Sequence, residues 1–165
     1  MKIINNFLDI NLIKKIEEYV NNNLQLHTWK TNLCWKDSIK KNSAQVSILD
    51  LTNIDDFSLP IKNLYNKIIP KSKDLKFSLC FYIWHNLSFI PFHKDDGYSI
   101  ASTIYLNQTW EKDFGGLFLY EELNEIKAIV PKFNMCLINE TSINHGTSLI
   151  AINSPLRLTL QIFFK

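Results

Sequence analysis

In the stretch PFHKDDGYS, residues 91–99, a histidine and an aspartate stand one residue apart, at His93 and Asp95. On a strand, residues i and i+2 project from the same face, so an imidazole nitrogen and a carboxylate oxygen converge on one cation. Two ligands hold a metal loosely, and a third is expected. The chain has four histidines. His27 and His85 precede the pair. His145 follows it in INETSINHGTSL, 50 residues after Asp95, which leaves room for several strands to run out and return. Two histidines and one carboxylate make the facial triad that holds non-haem Fe(II) and leaves three positions open. Asp96 is read as a solvated turn residue that points away, His85 in WHNLS as structural, and His27 as a surface residue.

A second group follows in PLRLTLQIFF. By the same period of two, Arg157 and Thr159 share one strand face, opposite Leu156, Leu158 and Leu160. A guanidinium on such a strand calls for an anionic partner, because a lone buried charge is costly. Its fork matches a carboxylate, and a hydroxyl two residues on adds a hydrogen bond. A dicarboxylate that chelates a metal at one end would place its other end here. Gln161 shares the face and looks into the same interior.

The elements that position these groups follow from apolar spacing. Leu12, Ile13, Ile16 and Val20 recur at helical intervals in DINLIKKIEEYVNNN, with Asp9 as cap, which predicts a helix over 9–23. A second helix is predicted over about 55–69, with Leu59, Leu64 and Ile68 as its apolar contacts and Pro70 as its stop. Strands are predicted at 44–51, 76–84, 99–107, 115–122, 125–130, 134–139 and 156–164. In 76–84, Phe77, Leu79, Phe81 and Ile83 take one face, and Ser78, Cys80, Tyr82 and Trp84 the other. The plan is α+β, mainly β with N-terminal helices: one domain, 1–165, helical over about 1–75 and β-rich over about 76–165. Short antiparallel strands indicate a sandwich or barrel. Gly115–Gly116 mark a bend or a close backbone approach, not a phosphate site, since no helix follows. Asn107 and Trp110 either line the site or shape the loop.

At 165 residues and 46% hydrophobic, the chain is long and apolar enough for one folded core. A formal charge of +2 gives little footprint for nucleic acid or an anionic membrane. The lysines at 36–41 and 67–76 read as solvated surface. No apolar run approaches the roughly 18 residues of a membrane span, and no secretory signal is apparent. Cys34, Cys80 and Cys136 are odd in number and lack a CxxC pair, which argues against a disulfide framework and for a reducing cytoplasm.

In order and spacing, HKD at 93–95, TIYLN at 103–107, Trp110, GG at 115–116, His145 and Arg157-x-Thr159 resemble the 2-oxoglutarate and Fe(II)-dependent oxygenases, on the prolyl-4-hydroxylase-like branch. The opening IINNFLDINLIKKI resembles the N-terminal segment of that branch. The resemblance implies a double-stranded β-helix, or jelly-roll, core. It assigns iron to His93, Asp95 and His145, and the distal carboxylate of 2-oxoglutarate to Arg157 and Thr159. With O2 as co-reactant and ascorbate as supporting reductant, the implied reaction hydroxylates an aliphatic C–H bond while 2-oxoglutarate becomes succinate. The substrate class stays open between a prolyl or other residue of a protein and a free amino acid or small molecule. A jelly-roll binding module without turnover is the alternative.

This chain departs from its relatives at several positions. Where they often carry a cosubstrate-contacting Tyr nine residues before the first iron histidine, it has Trp84, with Tyr82 one strand period earlier. Either is a candidate for that contact. Collagen-type relatives use Lys where Arg157 stands, and an apolar residue commonly follows the distal histidine where Gly146 stands. The nucleic-acid demethylases carry a second Arg where Phe163 stands, which argues against nucleic acid as substrate. The polar stretch 27–42 is a candidate lid.

Overall fold

Strands that alternate in polarity bury one face on helices and turn the other toward a cavity. The computed structural model describes residues 1–24, 29–31, 46–140 and 143–165. His27, Cys34, Trp35 and most of the 27–42 stretch lie outside the described residues. The strands are β1 (Lys2–Ile4), β2 (Lys30–Thr31), β3 (Val46–Asp50), β4 (Phe77–Trp84), β5 (Ile90–His93), β6 (Ile100–Tyr105), β7 (Phe118–Glu122), β8 (Glu125–Ile129), β9 (Cys136–Asn139), β10 (His145–Thr147) and β11 (Arg157–Phe164). They form a seven-stranded sheet in the order β1-β9-β6-β11-β4-β3-β2 and a four-stranded sheet in the order β5-β10-β7-β8. All the strand pairs among the described residues are antiparallel. Among the described residues the result is a mainly β, jelly-roll architecture with two α-helices.

Helix α1 (Ile10–Asn22) is capped by Asp9, whose carboxylate accepts from the Asn11 and Leu12 amides. It buries Ile13, Ile16 and Val20. Helix α2 (Asp55–Ile68) buries Phe57, Ile61 and Tyr65. Leu64 and Ile68 pack at the edge of the core, while Leu59 is exposed, so the buried stripe of α2 sits one step around from the predicted one. Both helices join one core with Phe77, Leu79 and Phe81 of β4 and Leu160, Ile162 and Phe164 of β11. Each fully buried aliphatic or aromatic side chain contributes about 1.5–3 kcal/mol. Cys136 belongs to this core; burial pushes its thiol up to about 12, so it is not a thiolate nucleophile.

The opposite face of the large sheet carries the polar residues. The residues of that face that line the cavity are Ser78, Cys80, Tyr82 and Trp84 on β4 and Arg157, Gln161 and Phe163 on β11; Thr159 lies in the same row of β11, fully buried between them. The antiparallel register sets Trp84 opposite Arg157 and Tyr82 opposite Thr159. On β6, Tyr105 stands opposite Thr159 and Thr103 opposite Gln161. Strands β1, β2, β5 and β10 have no counterpart among the predicted strands. Each spans two to four residues, too few to show a period.

Beyond the pairing of β1 with β9, a buried side chain ties the N-terminal segment to the barrel. Asn134 has a positive φ of 55° and accepts from the Leu8 amide while donating to the Leu8 carbonyl, both at 2.8 Å. Asn134→Ala leaves two buried backbone groups unpaired and strains the left-handed position. We expect a loss of about 2–4 kcal/mol in denaturant unfolding; a change within about 0.5 kcal/mol would show that the clamp is dispensable.

Candidate active site

His93 ends β5, Asp95 lies in the turn beyond it, and His145 opens β10. His93 and His145 are direct register partners across the β5–β10 pair. Their rings lie 4.5 Å apart, centroid to centroid. Asp95 reaches both: its carboxylate is 3.7 Å from His93 Nε2 and 3.4 Å from His145 Nε2. The three ligand atoms lie within 4.8 Å of one another. Asp95 therefore meets His93 from the turn, where its carbonyl accepts from the Tyr98 amide, and not by projecting from the same strand face.

The backbone sets the tautomers. His93 Nδ1 lies 2.9 Å from the Pro91 carbonyl, and His145 Nδ1 lies 2.7 Å from the Ile143 carbonyl. A carbonyl only accepts, so each Nδ1 carries the proton and each Nε2 offers its lone pair to the shared space. Burial pushes His145 below the ordinary histidine range, with Asp95 pulling the other way. Its neutral, ligating form thus persists to lower pH. Two neutral imidazoles and a carboxylate, mutually close and half-buried, are a donor set suited to a divalent transition metal.

Gly146 makes this geometry possible. The β5–β10 register shifts between His145 and Thr147, so three steps of β5 oppose two of β10. A Cβ on Gly146 would lie 2.8 Å from the Ile90 carbonyl oxygen and 3.3 Å from the Phe92 nitrogen. Both are backbone atoms and cannot swing aside. Gly146→Ala should push β10 from β5, separate His93 from His145, and weaken metal binding by about 10- to 100-fold, the range for losing an interaction that orients a ligand. Titration with Mn(II) checks this, and an unchanged affinity would mean that the strand pair adjusts elsewhere.

The second polar group lies under the cavity. Arg157 is 1% exposed, and its Nε and Nη1 have no hydrogen-bond partner. Its guanidinium is held between two rings, 4.8 Å from the Trp84 centroid and 5.0 Å from that of Tyr105. Gly116, with φ 60°, gives it room: a Cβ there would lie 3.0 Å from Arg157 Cδ. Asn107 fixes the backbone on both sides of Arg157, donating to the Leu156 carbonyl at 2.8 Å and accepting from the Leu158 amide at 2.7 Å. Trp110 donates its indole N–H to the Gly115 carbonyl and so shapes the loop. His85 hydrogen-bonds Ser47 at 2.9 Å, away from the metal trio.

One cavity of about 390 Å³ joins the two groups. His93, Asp95, His145 and Arg157 line it, as do Tyr82, Trp84, Tyr105 and Gln161. Exposed residues Lys94, Asp96 and Tyr98 stand at its mouth. A volume of this size suits a small ligand. Orphaned guanidinium N–H groups at one place and three ligand atoms at another fit a metal together with a chelating dicarboxylate.

No family model matches the sequence, and no curated protein does. Solved structures match in three dimensions. A prolyl-4-hydroxylase from Pseudomonas putida superposes with a TM-score of 0.74 at 16% identity, over 99% of this chain and 91% of that one. A prolyl hydroxylase from Trichoplax adhaerens, in complex with a peptide fragment of the hypoxia inducible factor oxygen degradation domain, gives 0.80 at 16% identity, over 99% and 82%. The fold is that of the 2-oxoglutarate/Fe(II) oxygenases of prolyl-4-hydroxylase-like form. The non-heme alpha ketoglutarate dependent epimerase SnoN from nogalamycin biosynthesis shares it, with a TM-score of 0.69 at 8% identity, over 99% and 76%. One fold therefore hosts different reactions, and the fold alone assigns none of them to this chain.

Within this oxygenase fold, one residue beside Arg157 has no role in the sequence-based assignment. Tyr105 is 2% exposed and lines the cavity, with its hydroxyl beside the Arg157 guanidinium. Burial pushes its phenol up, with the Arg157 charge pulling the other way. The signal was present in TIYLN, because alternation along β6 puts Thr103 and Tyr105 on one face. What the sequence lacks is the register that sets Tyr105 beside Thr159. Tyr82 and Trp84 both line the cavity and pack ring to ring at 6.0 Å. The Trp84 indole N–H is donated to Thr159 at 2.9 Å.

Proposed function

We propose that the chain is a non-haem Fe(II)- and 2-oxoglutarate-dependent oxygenase that hydroxylates an aliphatic C–H bond. One observation carries the reading: a His93–Asp95–His145 trio and a buried Arg157 with two unsatisfied guanidinium nitrogens line the same cavity. His93, Asp95 and His145 would hold the metal. Arg157, Thr159 and Tyr105 would receive the distal carboxylate, with Tyr82 and Trp84 as walls. Bound iron with 2-oxoglutarate would supply O2 activation, one oxygen atom entering the substrate and the other leaving in succinate as CO2 is lost.

The chain's own residues provide the rest. The Pro91 and Ile143 carbonyls keep both imidazoles in the ligating tautomer. Arg157 meets an anion with donors already in place, because its stacking on Trp84 and Tyr105 fixes the fork before binding. The apolar walls, Phe118 stacked on His145 at 5.3 Å among them, limit water near the trio. The substrate we favour is a residue of a protein or peptide, presented at the mouth formed by Lys94, Asp96 and Tyr98. The volume of the cavity supports a second reading, a free amino acid or other small molecule taken inside.

The test is binding and turnover. Purified protein should bind 2-oxoglutarate only with Fe(II) or Mn(II) present, and should convert it to succinate with Fe(II), O2 and ascorbate. Candidate peptides and amino acids that gain one oxygen by mass spectrometry identify the substrate. Absence of metal-dependent 2-oxoglutarate binding would overturn the enzyme reading in favour of a binding module.

A further inference from the structure

The hydroxyl of Thr159 sits in a hydrogen-bond chain whose direction is set at both ends. Trp84 Nε1–H, which can only donate, gives its proton to Thr159 Oγ1 at 2.9 Å. On the other side, Thr103 donates to Gln161 Oε1 at 2.9 Å. That contact turns the Gln161 amide nitrogen toward Thr159, where it donates to the same Oγ1 at 3.2 Å. Both lone pairs of the Thr159 oxygen are therefore filled. A hydroxyl in that state has only its proton left to offer, and that proton goes to no group among the described residues. Thr159 stands in the next inward-facing row to Arg157, fully buried among residues that line the cavity.

We infer that Trp84 is a positioning residue for anion recognition: by filling an acceptor site on Thr159 and bracing the Arg157 guanidinium, it commits the Thr159 hydroxyl to donate to the distal carboxylate. Gln161 does the same from the other side. This rests on the proposed function, because the anion is taken to be the distal carboxylate of 2-oxoglutarate. An indole reaches Thr159 across the β4–β11 pair and leaves the hydroxyl proton as the seat's donor. The chain thus uses Trp84 through Thr159 and not as a direct ligand of the cosubstrate. Without Trp84, one lone pair of Thr159 opens, and the hydroxyl is free to rotate its proton away from the ligand.

The experiment compares two 2-oxoacids that chelate a metal alike. 2-Oxoglutarate has the distal carboxylate, and 2-oxobutyrate lacks it. Titrations of the Mn(II)-loaded protein should show that Trp84→Phe, which keeps an aromatic face over Arg157, raises the Kd for 2-oxoglutarate by about tenfold. The Kd values for 2-oxobutyrate and for Mn(II) should stay within about twofold. In a Thr159→Val background the same change should cost little more, since the hydroxyl it orients is gone. If Trp84→Phe weakens both 2-oxoacids alike, or adds fully to Thr159→Val, Trp84 is only a wall and the inference fails. If Trp84→Phe does not fold, Gln161→Met removes the second donor to Thr159 and should weaken 2-oxoglutarate alone; equal binding of both 2-oxoacids by that variant and wild type refutes the inference. Wild-type protein that binds 2-oxobutyrate and 2-oxoglutarate equally refutes it while sparing the metal reading. Wild type that binds neither overturns the functional reading and this inference with it.

Discussion

Asp95→Ala should abolish metal binding, while Asp96→Ala should leave it in place. Asp95 approaches both histidines, at 3.7 Å from His93 Nε2 and 3.4 Å from His145 Nε2. Its removal leaves two imidazoles whose lone pairs share a space with no negative charge to balance a dication. The loss should exceed the roughly 10- to 100-fold that removing an outer hydrogen-bond partner costs, and put affinity below the useful range of a calorimetric or Mn(II) EPR titration. Asp96 is exposed and stands apart from the trio. A tight metal site surviving in Asp95→Ala would mean that the ion is held elsewhere. Loss of metal in Asp96→Ala would mean that the turn after β5 presents the wrong carboxylate.

Arg157→Met should separate stability from binding. In the ligand-free protein, Arg157 is a buried charge with two unpartnered donor atoms, held by two aromatic faces. Stacking on the rings returns about 0.5–2 kcal/mol, while the cost of desolvating an unpaired ion is several kcal/mol. Burial accordingly lowers the pKa of the guanidinium, with Tyr105 pulling the other way. Methionine fills similar space without the charge. We expect the ligand-free variant to be more stable, by about 1 kcal/mol or more in thermal or urea unfolding. Binding of 2-oxoglutarate should weaken by about 2–5 kcal/mol, or roughly 30- to 5,000-fold. Wild type with Mn(II) should then show a rise in Tm on adding 2-oxoglutarate that the variant lacks. A variant that binds 2-oxoglutarate normally would move the anion seat away from Arg157. A variant less stable without ligand would make Arg157 a structural residue.

Much of this site could be read along the chain because its parts are local pairs. Period-two alternation places Arg157 and Gln161 on the inner face of β11, and Leu158, Leu160 and Ile162 against the helices, as the spacing predicts. The same rule sorts β4 correctly. The helix over 9–23 and its Asp9 cap follow from apolar spacing and an N-terminal carboxylate, and they differ from the structure by a residue at each end. The elements that escaped are short. β5 and β10 carry two of the three candidate ligands, yet span four and three residues and contain Pro91 and Gly146. Strands that brief have no period, and both residues are turn formers by type.

By itself, the sequence determined the donor types and their order: an imidazole–carboxylate pair, a distant imidazole, then a guanidinium and a hydroxyl on one strand face. It did so because residue chemistry and alternation are properties of a few neighbouring positions. Only the tertiary structure decided how those donors are held. The Pro91 and Ile143 carbonyls choose the tautomers of His93 and His145. The turn after β5, not the strand, aims Asp95. The registers of β6 and β4 with β11 bring Tyr105 and Trp84, 54 and 75 residues before Thr159, to its sides. Such contacts depend on which strands pair and in what register, and that is settled when two sheets close around a shared core, where no local period reaches.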